Sequence, residues 1–91
     1  MNLYMCWVKE SEYVVFVFAV NPNQAKRITC EWETETLGHY DAIYDDICFS
    51  FEGKTDKVLV PTLVDTERHP LYPIIEELGA GYAVPPDWMI E

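Results

Sequence analysis

Residues 13–20 read Tyr-Val-Val-Phe-Val-Phe-Ala-Val, a run without a charged or amide side chain. In an extended strand successive side chains point to opposite faces, so Val14, Phe16, Phe18 and Val20 share one face and Tyr13, Val15, Val17 and Ala19 the other. Neither face is polar, and such a strand belongs in the middle of a sheet with a neighbour on each side. Residues 3–8 supply one neighbour, being rich in β-branched and aromatic side chains. The polar break Lys9-Glu10-Ser11-Glu12 between the two runs suits a hairpin, which makes the pair antiparallel.

Asn21-Pro22-Asn23-Gln24 then starts a helix: Asn21 caps, Pro22 suits the first helical position, and Gln24 stands where a capping box wants Glu or Gln. The helix is predicted over residues 22–36, with Ala25, Ile28 and Trp32 as its buried stripe and Gly38 ending it in the left-handed conformation. Its charges run against the helix dipole, with Lys26 and Arg27 near the start and Glu31, Glu33 and Glu35 near the end. Residues 42–51 alternate as a half-buried third strand, Ile43, Ile47, Phe49 and Phe51 against Tyr44, Asp46, Cys48 and Ser50, interrupted in its first half by Asp45 and Asp46. Gly53-Lys54-Thr55-Asp56 is predicted to turn the chain. A fourth strand over residues 58–64 is confined to a sheet edge or an irregular path by Pro61, which lacks a backbone donor. A short helix over 73–78 stops at Gly79 and Gly81; residues 82–84 read as a brief extended piece and Pro85-Pro86-Asp87-Trp88 as irregular. The expected fold is α+β: a small, largely antiparallel sheet with the main helix packed on one face, in the order β-β-α-β-β-α.

With 91 residues, 49% of them hydrophobic and 14% aromatic, the chain forms one compact domain with a real core and has no room for a second. Sixteen Asp and Glu against six Lys and Arg leave a net charge of −10. That field repels phosphate backbones and anionic membranes and favours a basic protein surface. No charged segment leads an apolar one at the N-terminus, and no apolar run approaches the roughly 20 residues needed to span a bilayer, so a cytoplasmic protein is expected. Cys6, Cys30 and Cys48 are odd in number, widely spaced and set in apolar or amphipathic stretches, which fits reduced, structural thiols.

Catalytic and metal chemistry find little to work with. Cys6, Cys30, Cys48, His39 and His69 are possible ligands, and Asp65-x-Glu67-x-His69 would align three on one side of an extended segment, yet no closely spaced cysteine pair is present. No nucleophile is placed beside a base and its orienting group, no glycine-rich phosphate loop exists, and the carboxylate pairs Asp45-Asp46 and Glu76-Glu77 are sequence neighbours that diverge. No cofactor is expected, and no catalytic or metal-binding residue is assigned. The feature above background is a charge block. Between Arg27 and Lys54 there is no Lys or Arg, but Glu31, Glu33, Glu35, Asp41, Asp45, Asp46 and Glu52 all fall there. If the helix end, the following loop and the start of the third strand lie together, these acids form one negative patch with Tyr40 and Tyr44 embedded, and carboxylates so arranged imitate a phosphate backbone. The plainer alternative is a solvated acidic face.

The stretch Val17-Phe18-Ala19 leading through Asn21-x-Asn23-Gln24-Ala25-Lys26, with Tyr44-Asp45-Asp46-Ile47 downstream, resembles small uncharacterised proteins encoded by bacteriophages and other mobile elements. The resemblance implies a phage or mobile-element origin and transfers no catalytic residue. Together with charge and size it points to a non-enzymatic inhibitor that occupies the basic groove of a host nucleic-acid-binding or defence protein, an anti-CRISPR being one concrete version, with Tyr40, Tyr44 and Trp88 as aromatic anchors. Two other classes stay open: a small metal-binding protein or enzyme, and an assembly protein that forms a homodimer through the edge of its sheet, which an exposed fourth strand would permit.

Overall fold

The computed structural model describes residues 1–11, 13–36, 38 and 43–82. Strands β1 (Asn2–Val8) and β2 (Val14–Ala19) form the expected antiparallel hairpin, with Leu3 opposite Phe18 and Met5 opposite Phe16. Glu10 turns the hairpin at φ 68, a left-handed conformation that side chains other than Gly rarely take. Strand β3 (Ile47–Lys54) pairs with β1 and the three-residue β4 (Thr62–Val64) with β2, all antiparallel, so the order is β3-β1-β2-β4. The run apolar on both faces, β2, is interior, as its composition demands.

Both faces of this sheet are covered. On one, Tyr4, Cys6, Val15, Val17, Ala19 and Ile47 pack under helix α1 (Pro22–Glu35) through Ala25, with Ile28, Cys30 and Trp32 alongside. On the other, Leu3, Phe18 and Val64 pack against Tyr72 and Ile75 of helix α2 (Tyr72–Glu77) and against Val58 and Ala80. Each fully buried Leu, Ile or Phe here contributes about 1.5–3 kcal/mol.

Helix α1 begins as its sequence dictates. Asn21 Oδ1 accepts the Gln24 amide at 2.8 Å, and the Gln24 side chain reaches back to accept the Val20 amide at 2.9 Å. It closes with the Thr36 amide on the Trp32 carbonyl, and Gly38 follows at φ 70. The buried line differs from the expected one. Ala25, Thr29 and Glu33, at successive spacings of four, are the residues sealed from solvent, while Ile28 and Trp32 flank them half-buried. Thr29 tolerates this because its hydroxyl donates to the Ala25 carbonyl at 2.9 Å.

Two strand bounds shift for local reasons. Tyr44–Asp46 form a single 3-10 turn, so β3 starts only at Ile47; it then runs through the expected turn to Lys54 by way of a bulge opposite Leu3 and Tyr4, with Gly53 at φ 155. Residues 58–61 do not pair, since Pro61 has no amide to give, and Leu59 and Val60 are left exposed. Residues 80–82 form a 3-10 turn in place of the start of the extended piece expected over 82–84; residues 83–91, including Trp88, lie outside the described residues. Among the described residues no helix is long and apolar enough to cross a membrane.

Candidate partner-binding surface

Opposite the buried line of α1 runs an exposed ridge, Asn23, Arg27, Glu31 and Glu35, again at spacings of four. The helix carries no acid in its first turn and no base in its last. Its C-terminal carbonyls present a partial negative charge of about half a unit, and Glu31 and Glu35 add to it. Glu33 is not part of this surface. Expected there from its charge, it is 0% exposed, because position 33 continues the Ala25–Thr29 line toward the sheet.

The turn that bears Tyr44, Asp45 and Asp46 docks on the beginning of α1. Tyr44 donates its hydroxyl to Asn23 Oδ1 at 2.8 Å, and Lys26 Nζ lies 4.5 Å from the centre of its ring. A rise of 1.5 Å per residue then puts Glu31 about 12 Å and Glu35 about 18 Å further along the helix axis. Arg27 and Tyr44, with Val20, Asn21, Asn23 and Gln24, wall an open cleft of about 280 Å³ at this end. Among the described residues, Lys26 and Arg27 stand between the acids of the helix end and those of the turn. Asp45 is exposed and Asp46 half-buried, its carbonyl accepting the Lys9 amide at 2.8 Å. Glu52, half-buried at the bulge, lies about 20 Å along β3 from Asp46 at 3.3 Å per residue. Tyr40 and Asp41 lie outside the described residues.

The described potential ligands and nucleophiles are dispersed as well, and His39 lies outside the described residues. Cys6 is fully buried, and burial pushes its thiol up to about 11, a rise slightly offset by a hydrogen bond with Thr29. Cys30 and Cys48 are half-buried, and no disulfide joins any of the three. His69 serves the start of α2: its Nδ1 accepts the Leu71 amide at 3.1 Å and its carbonyl the Tyr72 amide at 2.9 Å, while Asp65 and Glu67 face solvent. Among the described residues no three of His, Cys, Asp and Glu gather as a metal site.

One surface escaped the sequence reading. Phe49 and Phe51, read as the apolar side of a half-buried strand, are 44% and 57% exposed on the outer strand β3, edge-on to the ring of Tyr4. The available signal was that an open sheet has two edges, of which a fourth strand occupies one. No family model matches this chain, and neither does any curated protein or solved structure.

Proposed function

We propose that this is a non-enzymatic binding protein that engages a basic protein surface through the C-terminal half of α1. The observation that carries the reading is the ridge in which Glu31 and Glu35 extend the negative end of the helix dipole, on a body of net charge −10. Asp45 and Asp46 form a second acidic point beyond the Lys26 and Arg27 barrier. In the finer form of the proposal the chain is a phage-encoded inhibitor, anti-CRISPR-like or nucleic-acid mimicking, that acts in the cytoplasm of a bacterial host on a protein whose groove otherwise holds nucleic acid. Electrostatic steering of this kind shows mainly in the association rate and fades as salt shortens the screening length toward about 10 Å at 0.1 M.

The test starts from the heparin-binding fraction of a bacterial lysate, passed over the immobilised protein at low salt. A protein retained by the wild type, released by duplex DNA and not retained by Glu31→Lys/Glu35→Lys supports the reading. Equal retention on that variant, with its melting transition intact, or retention that duplex DNA does not reverse, refutes it.

A further inference from the structure

We propose that the flank of α1 bearing Trp32 and Glu35 is a docking site for an arginine side chain on the basic surface this protein engages, and so rests on the function proposed above. Successive residues of a helix turn about 100° around its axis. Counted from the sealed line of Ala25, Thr29 and Glu33, one direction meets Trp32, Ile28, Glu35 and then Glu31, while the other meets Lys26, Cys30 and Asn23. The exposed part of half-buried Trp32 therefore borders the two acids, and Lys26 lies on the far flank, where it covers the ring of Tyr44. Helical side chains lean toward the N-terminus, which brings the carboxylate of Glu35 back toward Trp32 and that of Glu31 toward Ile28.

The occupant follows from charge and from the ring. Among the described residues neither Glu31 nor Glu35 takes part in a salt bridge, Arg27 one turn before Glu31 included, and the last turn of α1 holds no base. Two carboxylates and the negative end of a helix thus stand uncompensated on a chain of net charge −10, which selects a cation. The aromatic ring selects among cations. A guanidinium is planar and weakly hydrated, so it lies flat on an indole while its edge donates two parallel hydrogen bonds to a neighbouring carboxylate. An ammonium is compact and strongly hydrated and gains mainly from the carboxylate. With Thr29 and Glu33 turned toward the sheet, Trp32 is left beside the acidic ridge as the aromatic anchor of this face.

Octaarginine and octalysine, equal in length and charge, are the probes, titrated into the full chain by calorimetry at low salt. Octaarginine should bind about three- to fivefold more tightly. Trp32→Leu, which keeps an apolar side chain over the core, should leave the affinity for octalysine unchanged and remove most of that preference. Glu31→Gln/Glu35→Gln should weaken both peptides. Equal affinities for the two peptides, or a preference that survives Trp32→Leu, overturns the arginine site; if Glu31→Gln/Glu35→Gln still weakens both, the acidic ridge of the proposed function stands without it. Binding that this double variant does not weaken, or no binding of either peptide, overturns both. Should Trp32→Leu unfold, the ring protons of Trp32 in the unaltered chain decide. Their resonances should shift with octaarginine and stay in place with octalysine, and a shift with both or with neither overturns the proposal.

Discussion

Raising the pH from about 8 to above 11 tests the packing of Cys6 directly. The thiol lies at the centre of β1 under α1, and burial lifts it from an ordinary 9.0 to about 11. The folded value is the higher one, so the contribution of the protonated thiol is fully present below pH 9.0, where neither state ionises. It is lost between pH 9.0 and about 11, as the unfolded chain releases its proton and the folded one does not. Two pH units correspond to about 3 kcal/mol, a large part of the roughly 5–15 kcal/mol expected for a domain. The quantity to measure is the difference between wild type and Cys6→Ala in urea midpoints at each pH, in which every contribution common to both proteins cancels. The variant starts less stable, through its cavity, and the gap between the two proteins should close by about 3 kcal/mol as pH rises. Thiol labelling at pH 8 gives an independent reading: Cys30 and Cys48 react at once and Cys6 only on unfolding. Parallel stability curves, or a Cys6 that labels as fast as the other two, would refute this account of the core beneath α1.

Gly53→Ala places a side chain at φ 155, where the neighbouring Leu78 methyls leave room but the backbone does not, and should cost about 1–3 kcal/mol in urea unfolding. Glu10→Gly relieves the left-handed turn at φ 68 at some cost in chain entropy, for a net gain of about 0.5 kcal/mol and a rise of about 2–4 °C in Tm. Trp32→Ala should cost about 2–3 kcal/mol, less than the roughly 3–5 kcal/mol for a fully buried aromatic because Trp32 is only half-buried. Intact mass without reductant should show no loss of two hydrogens, since no two of the three cysteines are joined in a disulfide.

Local rules carried the sequence reading where one residue type decides the conformation. The Asn21 cap, Pro22, the hairpin and the central place of β2 all follow from short-range chemistry, and the structure has each of them. The reading weakened where tertiary contact chooses among equals. Nothing in the spacing of α1 separates an Ala25-Ile28-Trp32 line from an Ala25-Thr29-Glu33 line; the structure turns the second toward the sheet and leaves Ile28 and Trp32 as half-buried flanks. The distance between the described acids of the helix end and those of the turn has the same origin. Sequence proximity placed Asp45 and Asp46 beside the helix end, whereas the turn that bears them is held by Tyr44 against Asn23 and Lys26 at the helix start. Phe49 and Phe51 kept their predicted alternation but lie on an edge, which periodicity alone does not reveal.

The reversed charge order of α1 now separates into parts with different causes. Lys26 opposes the dipole but covers the ring of Tyr44, a contact that ties the 3-10 turn to the helix and so offsets the unfavourable position. Glu33 is drawn inward by the geometry of the helix face. Glu31 and Glu35 have neither reason: they are exposed, and each cation placed there instead would favour the helix by about 0.3–1 kcal/mol. Glu31→Lys/Glu35→Lys should therefore raise Tm while abolishing capture of a basic partner, a loss of binding that no loss of folding can explain.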